Sequence, residues 1–388
     1  MPSRTYLDWN ATTPLRPEAR AAMEASWDVS GNPSSVHAEG RRARRLVEEA
    51  RGAVAASVGG APPNVVFASS GTEANALALG PGVHAAGGRP VRRLLVSSIE
   101  HASVMAGGRF AREAIQSIAV SPSGAVDLDD LRGKLASAEP ALVSIMAANN
   151  ETGALQPVRE AARIVHEAGG VLHVDAIQAL GKIPLDISDL GADLVTVSAH
   201  KIGGPKGVGA LVFAEGLEGL TPLLKGGGQE RGHRAGTENV AGIVGFGAAV
   251  KVASDSLEAE RLRLEGLRNR LETGLRQTPG VIIFSLDIPR LPNTTLFTVR
   301  GLRAETAVIG FDLEGIAVSS GSACSSGKVQ PSHVLEAMGF PPTLARGAVR
   351  LSLGWSTTEE DIELCLQAWR KLSRTLIKDR DETLLERF

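Results

Sequence analysis

Lys201 is the residue of this sequence best placed for covalent chemistry. It follows the apolar, β-branched run 193–197 and the tripeptide 198–200 (Ser-Ala-His), and it precedes the glycine-rich segment 202–207. The run is typical of a buried strand, and the glycines predict a turn at its end. A lysine amine that is desolvated at a sheet edge can lose its proton near neutral pH and attack a carbonyl carbon. The alternative is a surface lysine in a strand-to-loop turn.

The two cysteines, Cys324 and Cys365, lie in contrasting surroundings. Cys324 follows a predicted strand in a loop of serines and glycines, which favours an exposed and reactive thiol. Cys365 shares an apolar helical stripe with Ile362 and Trp369, which predicts core packing. Two distant cysteines can form neither a disulfide framework nor a zinc site. We therefore expect a cytoplasmic protein without a metal.

Polar side chains follow several predicted strands at the point where each strand ends. Alternating strands and helices predict a mostly parallel sheet, and such sheets bind ligands at the carboxyl ends of their strands. The strand, small-residue turn and helix start within 65–79 predict an anion site, although helix capping also explains the hydroxyls there. The convergence of these side chains is the main sign of a functional site. They are Thr72, His101, Asn150, Asp175, Gln178, Ser198, His200 and Lys201.

Arg350 is the single arginine in the apolar strand predicted at 349–353. A buried guanidinium needs an anion, and its planar fork matches a carboxylate. That carboxylate could belong to a substrate or to an internal Asp or Glu, and both alternatives stay open.

The overall composition excludes several classes of protein. The chain has 388 residues, 43% of them hydrophobic and 22% charged, as expected for a soluble protein of two domains or one large α/β domain. Its net charge of −2 gives no reason to expect nucleic acid or membrane as a partner. No segment is apolar for long enough to span a bilayer. A long helix is predicted to end near Gln277, and the composition then shifts towards short strands of a second domain.

Five motifs together resemble one known family, the cysteine desulfurases. These are pyridoxal-phosphate enzymes of the class V aminotransferase group, and the similarity to their NifS/IscS-like branch runs from residue 7 to residue 354. The motifs are Ser198-Ala199-His200-Lys201, residues 173–178 (His-Val-Asp-Ala-Ile-Gln), Asn149-Asn150-Glu151, residues 234–237 (Arg-Ala-Gly-Thr) and residues 319–324 (Ser-Ser-Gly-Ser-Ala-Cys).

The resemblance implies an α/β protein of fold type I. Its large domain, residues 15–255, would contain a mostly parallel seven-stranded sheet and bind the cofactor. The smaller α+β domain would comprise residues 1–14 and 256–388 and carry the cysteine loop at about 319–330.

The resemblance also implies a role for each site residue. Lys201 would bind pyridoxal 5'-phosphate as a Schiff base and move protons. Asp175 would keep the pyridine nitrogen protonated, and Gln178 would bond the ring 3-oxygen. His101 would stack on the ring and act as an acid–base group. The remaining cofactor contacts would come from Gly71, Thr72, Ser198, His200, Asn150 and, from the other subunit of a homodimer, Thr237; Arg350 and Asn150 would hold the carboxylate of L-cysteine.

Cys324 would then take the substrate sulfur as a persulfide, with release of L-alanine. The acceptor would be a protein such as an iron–sulfur scaffold, including one for nitrogenase maturation, or a thiolation system. Three alternatives remain: a selenocysteine lyase or cysteine sulfinate desulfinase, a transaminase, and an assembly platform for which Lys201 is dispensable. The intact loop around Cys324 argues against the first two.

Overall fold

The computed structural model describes residues 4–137, 139–321 and 331–377. Within these ranges the strands β1 to β15 are, in chain order, Thr5–Tyr6, Val65–Ala68, His84–Ala85, Arg93–Ser97, Ile115–Ile118, Ala141–Met146, Val171–Asp175, Leu194–Ser198, Gly209–Phe213, Leu217–Glu218, Val281–Ile283, Thr294–Val299, Ile316–Ala317, Ser319–Ser320 and Val349–Ser352. The α-helices α1 to α13 are Pro17–Trp27, Ala38–Ala56, Gly71–Ala78, Ala102–Met105, Leu128–Leu135, Val158–Glu167, Ile187–Leu190, Val240–Asp255, Leu257–Leu275, Ala304–Leu313, His333–Ala337, Pro342–Ala345 and Glu359–Leu376.

The central sheet has seven strands in the order β2-β9-β8-β7-β6-β4-β5. Neighbouring strands from β5 to β8 are parallel, and β9 runs antiparallel to both β8 and β2. Every residue of β6, β7 and β8 is buried, as expected for strands covered by helices on both faces. The predicted mostly parallel seven-stranded sheet is therefore confirmed, and its carboxyl edge lies where the polar side chains follow the strands.

A second sheet has four antiparallel strands in the order β11-β12-β15-β14, and β1 pairs with β13 beside it. Its own core includes Trp369, Phe297 and Cys365, which is fully buried. Burial raises the pKa of the Cys365 thiol to about 12, so the predicted core role of this cysteine is confirmed. The domain boundaries at 15–255 and at 1–14 with 256–388 stay a prediction.

The long helix predicted to end near Gln277 is in fact two helices. α8 ends at Asp255, α9 begins at Leu257, and the two meet at an angle of 73°. The physical reason is that they pack on different cores. Phe246 of α8 packs in the core of the seven-stranded sheet, whereas Leu271 of α9 packs beside the four-stranded sheet.

The membrane prediction can be compared with the helices of the described ranges. No single one of these helices is long and apolar enough to cross a bilayer. The bent pair α8 and α9 meets the length and composition criteria only when both helices are taken together.

His173 of β7 makes the stability of this fold sensitive to acid. Its ring is fully buried, with Nδ1 2.7 Å from Ser144 Oγ and Nε2 3.3 Å from Thr196 Oγ1. Burial lowers its pKa from 6.5 to about 3. Below pH 6.5 the unfolded chain therefore takes up a proton that the folded chain does not bind, so the free energy of unfolding falls as the pH falls.

We expect His173→Gln to flatten this dependence on pH. In the natural chain, His173 contributes a loss of about 1.4 kcal/mol per pH unit between its two pKa values. The free energy of unfolding, measured in urea from pH 7 to pH 4, should fall less steeply for the variant than for the natural chain. Equal slopes would contradict the assignment.

Candidate active site

A cavity of about 310 Å³ lies at the carboxyl edge of the central sheet. This volume is within the range of small-molecule sites. The structure brings these sequence-predicted site residues together around it: Gly71, Thr72, His101, Asn150, Asp175, Gln178, Ser198, His200, Lys201 and Arg350. Their individual roles stay predictions.

The two remaining predicted site residues are Cys324 and Thr237. Cys324 and most of its loop lie outside the described residues. Thr237 lines a different cavity, of about 250 Å³, with Ser69 and Arg234. Within one chain Thr237 is thus separate from the main site, in keeping with the prediction that it serves a second subunit.

The turn between β2 and α3 forms one end of the cavity. Ser70 is the N-cap residue of α3, and its hydroxyl accepts from the main-chain N–H of Glu73 at 3.1 Å. At Gly71 an added Cβ would lie 2.4 Å from Cδ1 of Ile177, so a larger residue there would require the Ile177 side chain to shift. The buried hydroxyl of Ser198 has no hydrogen-bond partner within the described part of the chain. A helix N-terminus beside an unsatisfied hydroxyl suits an anion such as phosphate.

His200 joins this end of the cavity as a neutral imidazole. Burial, together with the positive charges of Lys201, Lys206 and Lys182, lowers its pKa from 6.5 to about 4. Its Nδ1 lies 3.2 Å from the Thr12 hydroxyl. At neutral pH it can therefore offer a hydrogen bond to an anion, but no positive charge.

Asp175 is a buried carboxylate at the end of β7. Its Oδ2 accepts from Nδ2 of Asn75 at 2.8 Å, and its Oδ1 accepts from the N–H of Ile177 at 3.0 Å. Burial raises its pKa, while these bonds and the charges of His101 and Lys201 oppose that shift. A cation in the cavity would stabilise the ionised carboxylate and so lower the pKa that burial has raised. Sequence reasoning missed Asn75, which is fully buried one helical turn after Thr72, because no local pattern marks its contact with Asp175.

His101 follows β4 and is the N-cap residue of α4. Its Nδ1 accepts from the main-chain N–H of Ser103 at 3.1 Å, so a neutral ring carries its proton on Nε2. The preceding residue, Glu100, is fully buried and accepts from the N–H of Met146 at 2.6 Å. Burial and the charge of Asp175 raise the pKa of Glu100 well above its ordinary value. Sequence reasoning also missed this residue.

Lys201 and Gln178 converge on the main chain of the N-terminal segment. Nζ of Lys201 donates to the carbonyl oxygens of Asn10 and Ala11, the latter at 2.9 Å. Nε2 of Gln178 donates to the same Asn10 oxygen at 3.0 Å. Asn10 is buried, and its side chain donates to Thr294 Oγ1 at 2.8 Å. This residue connects the amine to the second sheet, a role that sequence reasoning did not assign.

Arg350 binds an internal carboxylate, which is one of the two alternatives that the sequence left open. Its Nη2 donates to Oδ1 of Asp8 at 2.8 Å, so an internal carboxylate is present, and its Nη1 donates to the Asn150 carbonyl at 3.0 Å. Its buried Nε has no hydrogen-bond partner within the ranges that the structure describes. The guanidinium also lines the cavity, so a substrate carboxylate stays a proposal for this residue.

Comparisons with known proteins agree with this geometry. Residues 5–365 match the family model described as aminotransferase class-V. A curated relative from Dictyoglomus turgidum, named cysteine desulfurase IscS, is 40% identical over 97% of this chain and 96% of its own. A solved structure of a NifS-like protein from Rickettsia africae has a TM-score of 0.87 and 37% identity, covering 96% of this chain and 99% of its own.

A second solved structure, of a protein called SspA in complex with cysteine, has a TM-score of 0.75 and 28% identity, and the match covers 90% of this chain and 98% of that one. These matches, together with the seven-stranded sheet, confirm the prediction of fold type I. The chain therefore belongs to the class-V aminotransferase family and, within it, to the pyridoxal-phosphate-dependent cysteine desulfurases.

Proposed function

We propose that this protein converts L-cysteine to L-alanine and passes the sulfur through Cys324 to an acceptor protein. The observation that carries the proposal is the 310 Å³ cavity, which places an amine, a buried carboxylate and an anion cradle together. The name of the solved relative in complex with cysteine supports the choice of substrate.

The residues around the cavity fit pyridoxal 5'-phosphate. The unsatisfied Ser198 hydroxyl and the N-terminus of α3 suit its phosphate, and the desolvated Asp175 suits a ring nitrogen that carries a proton. When bound, the cofactor supplies an aldehyde carbon and a ring that withdraws electrons from the substrate.

The proton-moving groups of the chain are Lys201 and His101. Lys201 would supply the amine that attaches the cofactor, and the same amine would carry a proton to and from the substrate carbons. His101 keeps Nδ1 as an acceptor towards Ser103, which leaves Nε2 as the proton-bearing atom of its neutral ring. Asp175 would hold a proton on the ring nitrogen of the cofactor.

Arg350 and Asn150 orient the substrate. The guanidinium is buried and fixed by Asp8, and its Nε remains without a partner in the described part of the chain. A fixed donor of this kind suits the carboxylate of an amino acid. Asn150 lines the same cavity and would provide a second polar contact.

Cys324 completes the reaction as a thiolate. Its sulfur forms a bond with the substrate sulfur while the carbon–sulfur bond of cysteine breaks, and the substrate carbon takes up a proton. Cysteine and the enzyme thiol thereby become alanine and an enzyme persulfide, with no external oxidant or reductant. The persulfide sulfur then passes to an acceptor such as an iron–sulfur scaffold protein.

The proposal extends to assembly and location. A homodimer would bring Thr237 of one subunit to the cofactor phosphate of the other, because Thr237 does not line the main cavity of its own chain. The separated cysteines favour the cytoplasm.

The purified protein is expected to be yellow and to release alanine and sulfide in equal amounts from L-cysteine in the presence of a thiol reductant. Alanine and sulfide are measured separately, with cysteine sulfinate as a competing substrate in parallel. Release of alanine from cysteine sulfinate but not from L-cysteine would overturn the proposal in favour of a desulfinase.

A further inference from the structure

Lys182 is a buried lysine between two cavities. Only 8% of the residue is exposed, and its Nζ donates to Oε1 of Gln178 at 2.8 Å and to Oδ1 of Asn10 at 3.4 Å. It also lines a small cavity of about 40 Å³ next to the main site. Within the described ranges both of these partners are neutral amides rather than carboxylates. A buried amine without a counter-ion is costly, so this arrangement requires a compensating role.

The contact with Lys182 determines how the Gln178 amide is turned. The Gln178 atom that faces Nζ of Lys182 is the oxygen, Oε1, which accepts an N–H of the amine. The main-chain oxygen of Asn10 selects the same orientation, because it accepts from Nε2 of Gln178 at 3.0 Å. One N–H of the amide then remains for an acceptor in the main cavity, which Gln178 lines.

We propose that Lys182 is a positioning residue that holds the Gln178 amide with its NH₂ group available to an anionic oxygen of the bound ligand. The inference rests on the proposed function, in which that ligand is pyridoxal phosphate and the oxygen is its ring 3-oxygen. Without Lys182, one of the two contacts that fix the amide is lost, and the donor to the ring oxygen becomes poorly aligned.

The electrostatic surroundings determine how this can be measured. The charged and titratable groups facing this region are Lys201, His200, Asp175, His101 and Arg350 around the main cavity, with Arg16 and Glu260 beside the small one. Burial, followed by the charges of Lys201 and Arg350, lowers the pKa of Lys182 well below its ordinary value. A hydrogen bond to an anionic oxygen favours the deprotonated form of the ligand, so its loss raises the pH at which the ligand titrates.

The experiment is a spectrophotometric pH titration of the holoenzyme. Lys182→Met removes the donor and is expected to raise the pH midpoint of the colour change by about one unit. Lys182→Arg keeps N–H donors at this position, and the small cavity provides space for its guanidinium. This variant is expected to restore the natural midpoint. The matched control is Lys206→Met, since exposed Lys206 also acts electrostatically on His200 but has no contact with Gln178.

A double-mutant cycle tests whether Lys182 acts through Gln178. If it does, Gln178→Leu and the double variant with Lys182→Met titrate at the same midpoint, because the second change has nothing left to remove. The inference would be overturned if the midpoint shifts of Gln178→Leu and Lys182→Met added up in the double variant. It would also be overturned if Lys206→Met shifted the midpoint as much as Lys182→Met does, or if a folded, cofactor-loaded Lys182→Met kept the natural midpoint. Should methionine prevent folding, Lys182→Leu carries the same test. Failure of the natural chain to bind the cofactor covalently would instead overturn the proposed function.

Discussion

Replacement of Lys201 by alanine is expected to abolish covalent attachment of the cofactor and to lower the turnover of L-cysteine by about 1,000-fold or more. The amine is held at the cavity by the carbonyl oxygens of Asn10 and Ala11, and alanine removes it. Borohydride reduction followed by peptide mass spectrometry measures the attachment directly. The natural chain should carry a pyridoxyl group on residue 201, and the variant should carry none.

Lys206→Ala is the matched control for this experiment. Lys206 lies five positions later in the same glycine-rich segment and is exposed, so its loss should leave both attachment and turnover unchanged. A pyridoxyl group on Lys182 of the natural chain would contradict the assignment, because that residue is a buried amine next to the site. Sulfur transfer at the natural rate by Lys201→Ala would favour an assembly platform instead.

Replacement of Cys324 by serine is the second change with a large expected effect. A hydroxyl cannot accept the substrate sulfur as a persulfide, so sulfide production should fall by at least about 100-fold. The variant should still be yellow, because none of the proposed cofactor contacts involves Cys324. Sulfide release from L-cysteine and the absorbance spectrum are measured on the same sample.

The other cysteine provides the control. Cys365 is fully buried in the core of the second sheet, and burial raises its thiol pKa to about 12, so it supplies no thiolate at neutral pH. Cys365→Ala should keep the natural rate of sulfide production while lowering stability through the cavity that it leaves. Full activity of Cys324→Ser, or loss of activity in Cys365→Ala alone, would show that the wrong thiol has been assigned.

The main features of the site were predictable because they depend on local patterns. Each of the strands β6, β7 and β8 is a short apolar run, and the polar residues that follow it must reach the carboxyl edge of a parallel sheet. That rule was sufficient to predict that Asp175, Ser198 and Lys201 lie around one cavity. Apolar neighbours at helical spacing were likewise sufficient to bury Cys365.

Contacts between distant positions were not predictable in the same way. Asn75 bonds Asp175 across 100 positions, and Arg350 pairs with Asp8 across 342. No periodicity in the chain encodes which of many polar residues will meet. The bend at Ser256 was missed for a related reason, because it depends on which of two cores each half of the helical segment joins.

The bonds made by the N-terminal segment have a consequence for synthesis of the protein. The N–H of Asn10 donates to the hydroxyl of Ser352, and Asp8 pairs with Arg350, so the first and last parts of the site are 342 positions apart. Both late partners belong to β15, near the end of a 388-residue chain. A nascent polypeptide still lacking β15 cannot form these bonds around its earliest residues, so the binding site closes only after that strand has been synthesised.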